Sequence, residues 1–335
     1  MAALHAGRPP VSNGRINLRR QKFAGCDLSG LDLTNADLTG ADLNGANLAG
    51  VNLIGADLTD ARLFTANLQG ALLNGAILHN TELSGADLTG ANLESVTATR
   101  AGFGMACLKN VQFERACLDD ATLSGADMRG ANLDNASLIN ARLREVDLRN
   151  THFNSADLSG AHLSLSAVDG ASFRNADLRG ARMRMVRGYL DANWIGVDIR
   201  DVSFAGCLML RRFIMDQNYI MEFRGSSRTA GLLYYPWLIT SDCGRSLGRW
   251  CGMILVLTLI FAMIYQNVGI NFGAYETAFS PFYFSVVTIT TLGYGDAVPT
   301  TLAGQMAAVI EVVLGYMMLG GLLAIFSNKI ARRAE

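Results

Sequence analysis

From Leu18 to Met183 every fifth residue is apolar, an unbroken run of 34 positions filled by Leu, Phe or Met except at Ala98 and Val168. Two residues before these centres a small residue recurs, Ala in 23 of the 34 cases, as at Ala36, Ala41, Ala46 and Ala56. Two residues after it, Gly or Asn fills 22 of the 33 positions from Arg20 to Gly180. A period of five fits neither the 3.6 residues of a helical turn nor the alternation of a strand. It fits a chain that turns a corner every five residues and points one large and one small apolar residue inward each time. Gly and Asn tolerate the left-handed backbone such corners need. Four corners close a coil of about twenty residues, and successive coils stack at parallel-ladder spacing, roughly 4.8 Å. Leu38 is therefore expected beneath Leu58, and Leu58 beneath Leu78.

The register slips once. After Met183 the beat resumes at Trp194, Ile199, Phe204 and Met209, preceded by Ala192, Val197, Val202 and Cys207. One extra residue lies within Arg184–Asp191, which predicts a bulge or loop there. Glu94–Met105 keeps phase but carries Ala98 at a centre and poor corner residues, and is expected to be an irregular face. Asp and Asn just before the centres (Asp37, Asp42, Asn47) are expected to cap local backbone and bridge coils. The A-D-L-T-G and A-N-L-x-G units, such as Ala36–Gly40 and Ala86–Gly90, resemble the pentapeptide-repeat family. That resemblance implies a right-handed quadrilateral parallel β-helix over residues 16–210, after a disordered stretch at 1–15.

Beyond residue 245 the pattern changes. Trp250–Tyr265 holds no charge, and the wider segment 247–268 adds Arg249, Gln266 and Asn267 as strongly polar groups. Leu302–Ser327 holds one charge, Glu311. Both approach or exceed the roughly twenty residues of a spanning helix. Arg245 and Arg249 precede the first, Lys329, Arg332 and Arg333 follow the second, and no Lys or Arg lies from Asn267 to Thr301. The positive-inside rule then puts both termini in the cytoplasm. No apolar stretch of secretory length occurs in Met1–Arg20, in keeping with that orientation.

The loop between the two segments carries the chemistry. Ser280–Pro281 reads as a helix start, with Ser as N-cap and Pro at the first helical position. The apolar run Phe282–Ile289 is long enough for about three turns, so it enters the membrane without crossing it. Next comes Thr290-Thr291-Leu292-Gly293-Tyr294-Gly295-Asp296, irregular backbone at membrane depth, which is tolerated where it lines a water-filled path. This stretch resembles the T-x-G-Y-G signature of potassium channels, within the two-helix pore family. The resemblance implies a subunit of a homotetramer in a lipid bilayer that conducts K⁺ passively. It implies an outer helix at 247–268, a pore helix at 281–290, a filter at 291–295, an inner helix at 302–328 and a short tail at 329–335. Carbonyls of Thr291, Leu292, Gly293, Tyr294 and Gly295 would replace the ion's hydration shell. Leu292 stands where Val is commoner, which leaves its carbonyl in place. Tyr294 would pack outward, Asp296 would draw cations at the external mouth, and Thr290 and Thr288 would support the filter. Gly315, twenty residues after Gly295, matches the hinge glycine of the family's inner helix. Glu311, one turn before it, is an ionisable group inside a span and so a functional candidate. It is expected behind the filter, protonated or bonded to pore-helix groups such as Thr288. Leu319, Leu323 and Ser327, at i, i+4 and i+8, are candidates for the cavity and lower gate.

Residues 211–246 join the two regions. Arg211–Arg224 reads as an amphipathic helix (Phe213, Ile214, Tyr219, Ile220, Phe223), Gly225–Gly231 as a polar hinge. The aromatics Tyr234, Tyr235 and Trp237, followed by Arg245 and Arg249, suit a headgroup boundary and resemble the interfacial slide helix of two-helix channels.

Composition narrows the function classes. Residues 1–210 hold 22 Asp and Glu against 19 Lys and Arg, a net of −3, which argues against both a nucleic-acid partner and the acidic face of DNA-mimicking pentapeptide proteins. The six cysteines show no metal spacing and read as thiols of a reducing compartment. No residue constellation supports an enzyme, no cofactor is implied beyond K⁺ as permeant ion at the filter carbonyls, and no Arg-rich voltage-sensing helix occurs. The expected setting is the inner membrane of a prokaryote. The repeat domain is left to regulation, assembly or the binding of an unidentified cytoplasmic ligand or protein. The competing reading is a membrane-anchored protein-binding module with a non-conducting pore.

Overall fold

The computed structural model describes residues 11–334, except 13–14, 244–245 and 274–275. It divides into two compact units, Met1–Tyr219 and Ile220–Glu335.

The first unit is the quadrilateral parallel β-helix. Single-residue parallel bridges join position i to i+20, from Asn17↔Asp37 to Ala167↔Arg187, so Leu38, Leu58 and Leu78 stack as expected. The Leu38 N–H donates to the Asp57 carbonyl at 2.7 Å, and the Asp57 N–H returns to that of Ala36 at 2.9 Å. The apolar centres and the small residues before them form one continuous buried core. Corners hold positive φ whichever residue occupies them, at Gly40 (64°) and Asn35 (55°) but also at Arg100 (59°) and Met105 (57°). Fitting such residues to left-handed backbone carries a steric cost, and the stacked ladders on both sides of each corner offset it. Glu94–Met105 is accordingly regular, contrary to the sequence expectation: Ala98 and Phe103 are fully buried and the ladder runs through unbroken. Asx-type contacts recur as expected. The Thr39 N–H donates to Asp37 Oδ1 at 3.1 Å, and Asn47 and Asn67 amides reach back one coil at 3.0 Å.

The register slip lies where the spacing places it. A short 3₁₀ turn at Tyr189–Asp191 takes up the extra residue, and the ladder then joins i to i+21, as in Ser172↔Asn193. Phe153, Phe173 and Trp194 stack across it with ring centroids 5.0 and 4.4 Å apart. Two expectations are corrected at the ends. Met209 is not a coil centre but an exposed residue of helix α1 (Leu208–Ser226). That helix closes the last coil: Leu210 and Ile214 are fully buried, and Gln217 Oε1 and Asn218 Oδ1 accept from the Trp194 and Gly196 N–H groups at 2.9 and 2.6 Å. The coil edge is thus paired instead of left open. At the other end β1 (Val11–Ser12) and β2 (Arg15–Ile16) form a small antiparallel hairpin within the stretch expected to be disordered. Residues 1–10 lie outside the described ones.

The second unit is helical. Helix α2 (Arg228–Ser241) follows α1 after a single residue, Ser227, whose hydroxyl accepts from the Ala230 N–H at 3.0 Å. The hinge expected at Gly225–Gly231 is therefore one capped residue wide. Helix α3 (Leu247–Tyr265), capped by Ser246, and α5 (Leu302–Ala334) contain the two stretches long and apolar enough to cross a membrane, Leu247–Tyr265 and Leu302–Ser327. Helix α5 runs on through the segment expected to be a tail. Between them lie β3 (Ile270–Asn271), the short helix α4 (Ser280–Ile289) and β4 (Val298–Pro299), which pairs antiparallel with β3. Trp250 fastens α3 to α5 by donating its indole N–H to the Met318 carbonyl at 2.8 Å.

Candidate functional site

Helix α4 aims its C-terminal end at the T-x-G-Y-G stretch. Pro281 stands in its first turn, at the second helical position and not the first as the sequence led one to expect. Ser280 does not serve as N-cap, because it is itself the first helical residue. Its Oγ instead accepts from the Thr277 N–H at 2.8 Å, which steadies the approach to the helix. At the far end the Thr290 hydroxyl donates to the Val286 carbonyl at 2.6 Å, and the Leu292 N–H donates to that of Val287 at 3.0 Å. Two donors are thereby drawn back onto the helix as the chain leaves it.

The backbone then takes positive φ at Thr291 (59°), Gly293 (52°) and Gly295 (79°). Alternation of left- and right-handed residues is what turns successive carbonyls to one side of an extended chain, and Gly adopts it without a Cβ penalty. Within a single chain this segment has little cover: Leu292 is 59% and Tyr294 66% exposed, so the outward packing expected of Tyr294 is not made within one chain. Asp296 is fixed by the Tyr283 hydroxyl, which donates to its Oδ2 at 2.9 Å. Thr288 is buried on α4.

Behind this segment Glu311 is fully buried. Tyr265 of α3 donates its hydroxyl to Oε2 at 2.6 Å, and Ser285 of α4 donates to Oε1. The Ser285 hydroxyl also lies 2.9 Å from the Thr258 carbonyl of α3. One carboxyl therefore joins all three helices. Its partners are Ser285 and Tyr265, and Thr288, the partner expected from the sequence, is not among them. Ser285 is three residues nearer the start of α4, on the face turned to α3 and α5. Tyr265, Ser285 and Tyr283 have no signature of their own in the sequence. For Tyr265 and Ser285 the one signal was the buried acid, which demanded donors; Tyr283, which bonds the exposed Asp296, had none.

Gly315 lies where α5 passes the end of α4. A Cβ there would run into the Ile289 backbone carbonyl, so the helices meet through the absence of a side chain. Helix α5 is continuous through this point. Leu319, Leu323 and Ser327 are exposed along it. Among the described residues no group of three or more His, Cys, Asp and Glu side chains could hold a metal ion. What the segment offers a cation is backbone carbonyl oxygen.

Comparison with known proteins matches each of the two units to a different family. Residues 253–332 match the family described as ion channel. Residues 14–50, 26–63 and 66–103 match pentapeptide repeats, and 96–173 a pentapeptide repeat region. Over 102 residues the chain is 33% identical to the potassium voltage-gated channel protein Shal of Drosophila melanogaster, covering 30% of this chain and 17% of that protein. Over 83 residues it is 34% identical to the A-type voltage-gated potassium channel KCND3 of Homo sapiens, covering 24% and 12% respectively. The chain thus spans less than a fifth of the length of these relatives. Among solved structures, HetL, a pentapeptide repeat protein involved in heterocyst differentiation regulation from the cyanobacterium Nostoc sp. Strain PCC 7120, is 30% identical with a TM-score of 0.39, over 57% of this chain and 90% of that one. QnrB1, a plasmid-mediated fluoroquinolone resistance protein, is 18% identical with a TM-score of 0.43, over 57% and 97%. These matches point to a channel and a repeat protein, not to an enzyme family.

Proposed function

Starting from a chain that joins pentapeptide repeats to an ion-channel domain, we propose that it is a subunit of a potassium-selective channel conducting K⁺ passively as a homotetramer. The carrying observation is the Thr291–Gly295 backbone, with positive φ at Gly293 and Gly295, held after a short apolar helix between two membrane-length helices. Carbonyls of Thr291, Leu292, Gly293, Tyr294 and Gly295 take the place of the ion's water shell. Four copies around one axis would cover the exposed Leu292 and Tyr294 and complete a path that one copy leaves open. Thr288, Thr290 and Glu311 support the filter, and Asp296 concentrates cations at its outer mouth. Gly315 serves as the hinge of the inner helix, and Leu319, Leu323 and Ser327 line the cavity and lower gate. Both termini lie in the cytoplasm of a prokaryote, with the β-helix serving regulation, assembly or partner binding.

The test is K⁺ flux into proteoliposomes holding the full chain, beside the Gly293→Ala variant. Wild-type flux that exceeds Na⁺ flux and disappears in the variant is expected. A chain that inserts and assembles but passes no ion would instead support a membrane-anchored binding module.

A further inference from the structure

Arginine recurs around the β-helix in two settings. On two faces it follows an Asp by two residues and is neutralised by it, in Asp127–Arg129, Asp147–Arg149, Asp177–Arg179 and Asp198–Arg200. A third face is different, because Arg occupies both positions, in Arg142-Leu143-Arg144 and again two coils later in Arg182-Met183-Arg184. The ladder stacks Arg142, His162 and Arg182 in one column, with Arg144, Ser164 and Arg184 beside it. All four guanidinium side chains are exposed. The one acid on this strip is Glu145, which pairs with Arg144 at 2.9 Å, while Arg142, Arg182 and Arg184 make no ion pair among the described residues. At the same face positions the flanking coils present Thr122, Ser124, Ser203 and Ala205, and each carries one acid at the preceding corner, Asp120 and Asp201. The His162 imidazole registers this field. Its own burial, and then the four surrounding guanidiniums, hold it below the ordinary value.

Beside the basic columns Leu165, Met185, Leu208 and Met209, with Glu145 and Arg187 among them, border a groove of roughly 1060 Å³, and Met185, Leu208 and Met209 are each at least 60% exposed. The guanidiniums lie along an open strip two coils long, about 10 Å, and not around a concavity of the kind that encloses a small ligand. Cationic side chains interleaved with exposed aliphatic ones are what an anionic bilayer surface binds: charge attracts the headgroups and the apolar groups enter the boundary. This strip belongs to the last coils before the chain runs through α1 and α2 into the first span. We propose that Arg142, Arg144, Arg182 and Arg184 bind the phosphates of anionic phospholipids while Met185, Leu208 and Met209 enter the headgroup layer, docking the β-helix on the membrane.

The proposal rests on the membrane reading of α3 and α5, and one experiment separates the two. The full chain is reconstituted into phosphatidylcholine nanodiscs with or without phosphatidylglycerol carrying a photoreactive headgroup, and labelled peptides are mapped. Labelling within residues 142–187 is expected in the anionic discs, suppressed by high salt. Each cation near an anionic surface is worth about fivefold, so R182Q/R184Q should lower that labelling by on the order of tenfold or more. R179Q/R200Q, which removes two guanidiniums from another face, should leave it in place. Labelling near the spans with residues 142–187 untouched, or equal labelling in both double variants, overturns the proposal. No labelling near the spans overturns the membrane reading with it. In phosphatidylcholine discs, inorganic phosphate protecting these arginines from phenylglyoxal as well as phosphatidylglycerol does would assign the strip to a soluble anion and overturn lipid docking.

Discussion

Glu311 shows how one side chain can hold a site together. Its two oxygens accept from hydroxyls on two different helices while its own Cα sits on a third. The Ser285 hydroxyl has a single proton and two acceptors in reach, Glu311 Oε1 and the Thr258 carbonyl. A Gln at 311 supplies an amide N–H for Ser285 and keeps an oxygen for Tyr265, so Glu311→Gln is expected to leave thermal stability and selectivity nearly unchanged. Tyr265→Phe or Ser285→Ala leaves a buried oxygen short of a donor, a loss of about 1–3 kcal/mol each, and Glu311→Val removes the junction altogether. Melting curves of the assembled channel with K⁺/Na⁺ selectivity measured alongside decide this, and indistinguishable Gln and Val variants would refute the junction. Gly315 makes the complementary point. Gly315→Ala would push its methyl into the Ile289 carbonyl and displace the end of α4. It should therefore disturb selectivity as well as opening, whereas a residue acting as a hinge alone would alter opening and spare selectivity. The glycine was visible in the sequence by its spacing; the carbonyl it makes room for was not, because that contact joins residues 26 apart.

At the scale of elements the β-helix was the more legible part. A period of five fixes which side chains face inward, and stacking then follows without further information. Leu58→Lys would bury an unpaired charge and should cost several kcal/mol. Thr59→Lys, on the outer surface beside Asp57, should change the melting temperature little. Equal losses would mean that the inward face is misassigned. The coil is also tied by Asp–Arg pairs. A hydrogen bond from Arg129 holds the Asp127 carboxyl at about 2, and one from Arg200 does the same for Asp198. Because the folded values lie below those of the unfolded chain, these pairs stabilise the coil above the ordinary carboxylate range. Their contribution disappears as pH falls from about 4 toward 2. Melting temperature should decline across that window, and the decline should be shallower in Asp127→Asn/Asp198→Asn; identical slopes would show that the pairs contribute nothing. What the pattern could not convey was the capping of the coil. The rhythm carries on to Met209, yet Gln217 and Asn218 can reach the open N–H groups only if the chain has already turned helical at Leu208. Satisfying the edge overrides the period. For the same reason the poor corner residues of Glu94–Met105 did not break the coil, since neighbouring ladders impose the backbone that local preference resists.

For the whole molecule, a membrane-length helix, a short helix, a T-x-G-Y-G loop and a second membrane-length helix occur in the order a two-helix pore requires, and that order was readable because each piece has its own hydrophobic length. The filter's outward cover was not readable in the same way. The side chains of Leu292 and Tyr294 are largely exposed in the single chain, and cover by further copies is something a single sequence does not describe. The central claim therefore concerns an assembly, and its most direct measurement is the reversal potential of the full-length chain in a planar bilayer with K⁺ on one side and Na⁺ on the other. Strong displacement toward the K⁺ equilibrium potential, lost together with the current in Gly293→Ala, is the result this account predicts. A reversal potential near zero, with Na⁺ passing as readily as K⁺, would contradict it.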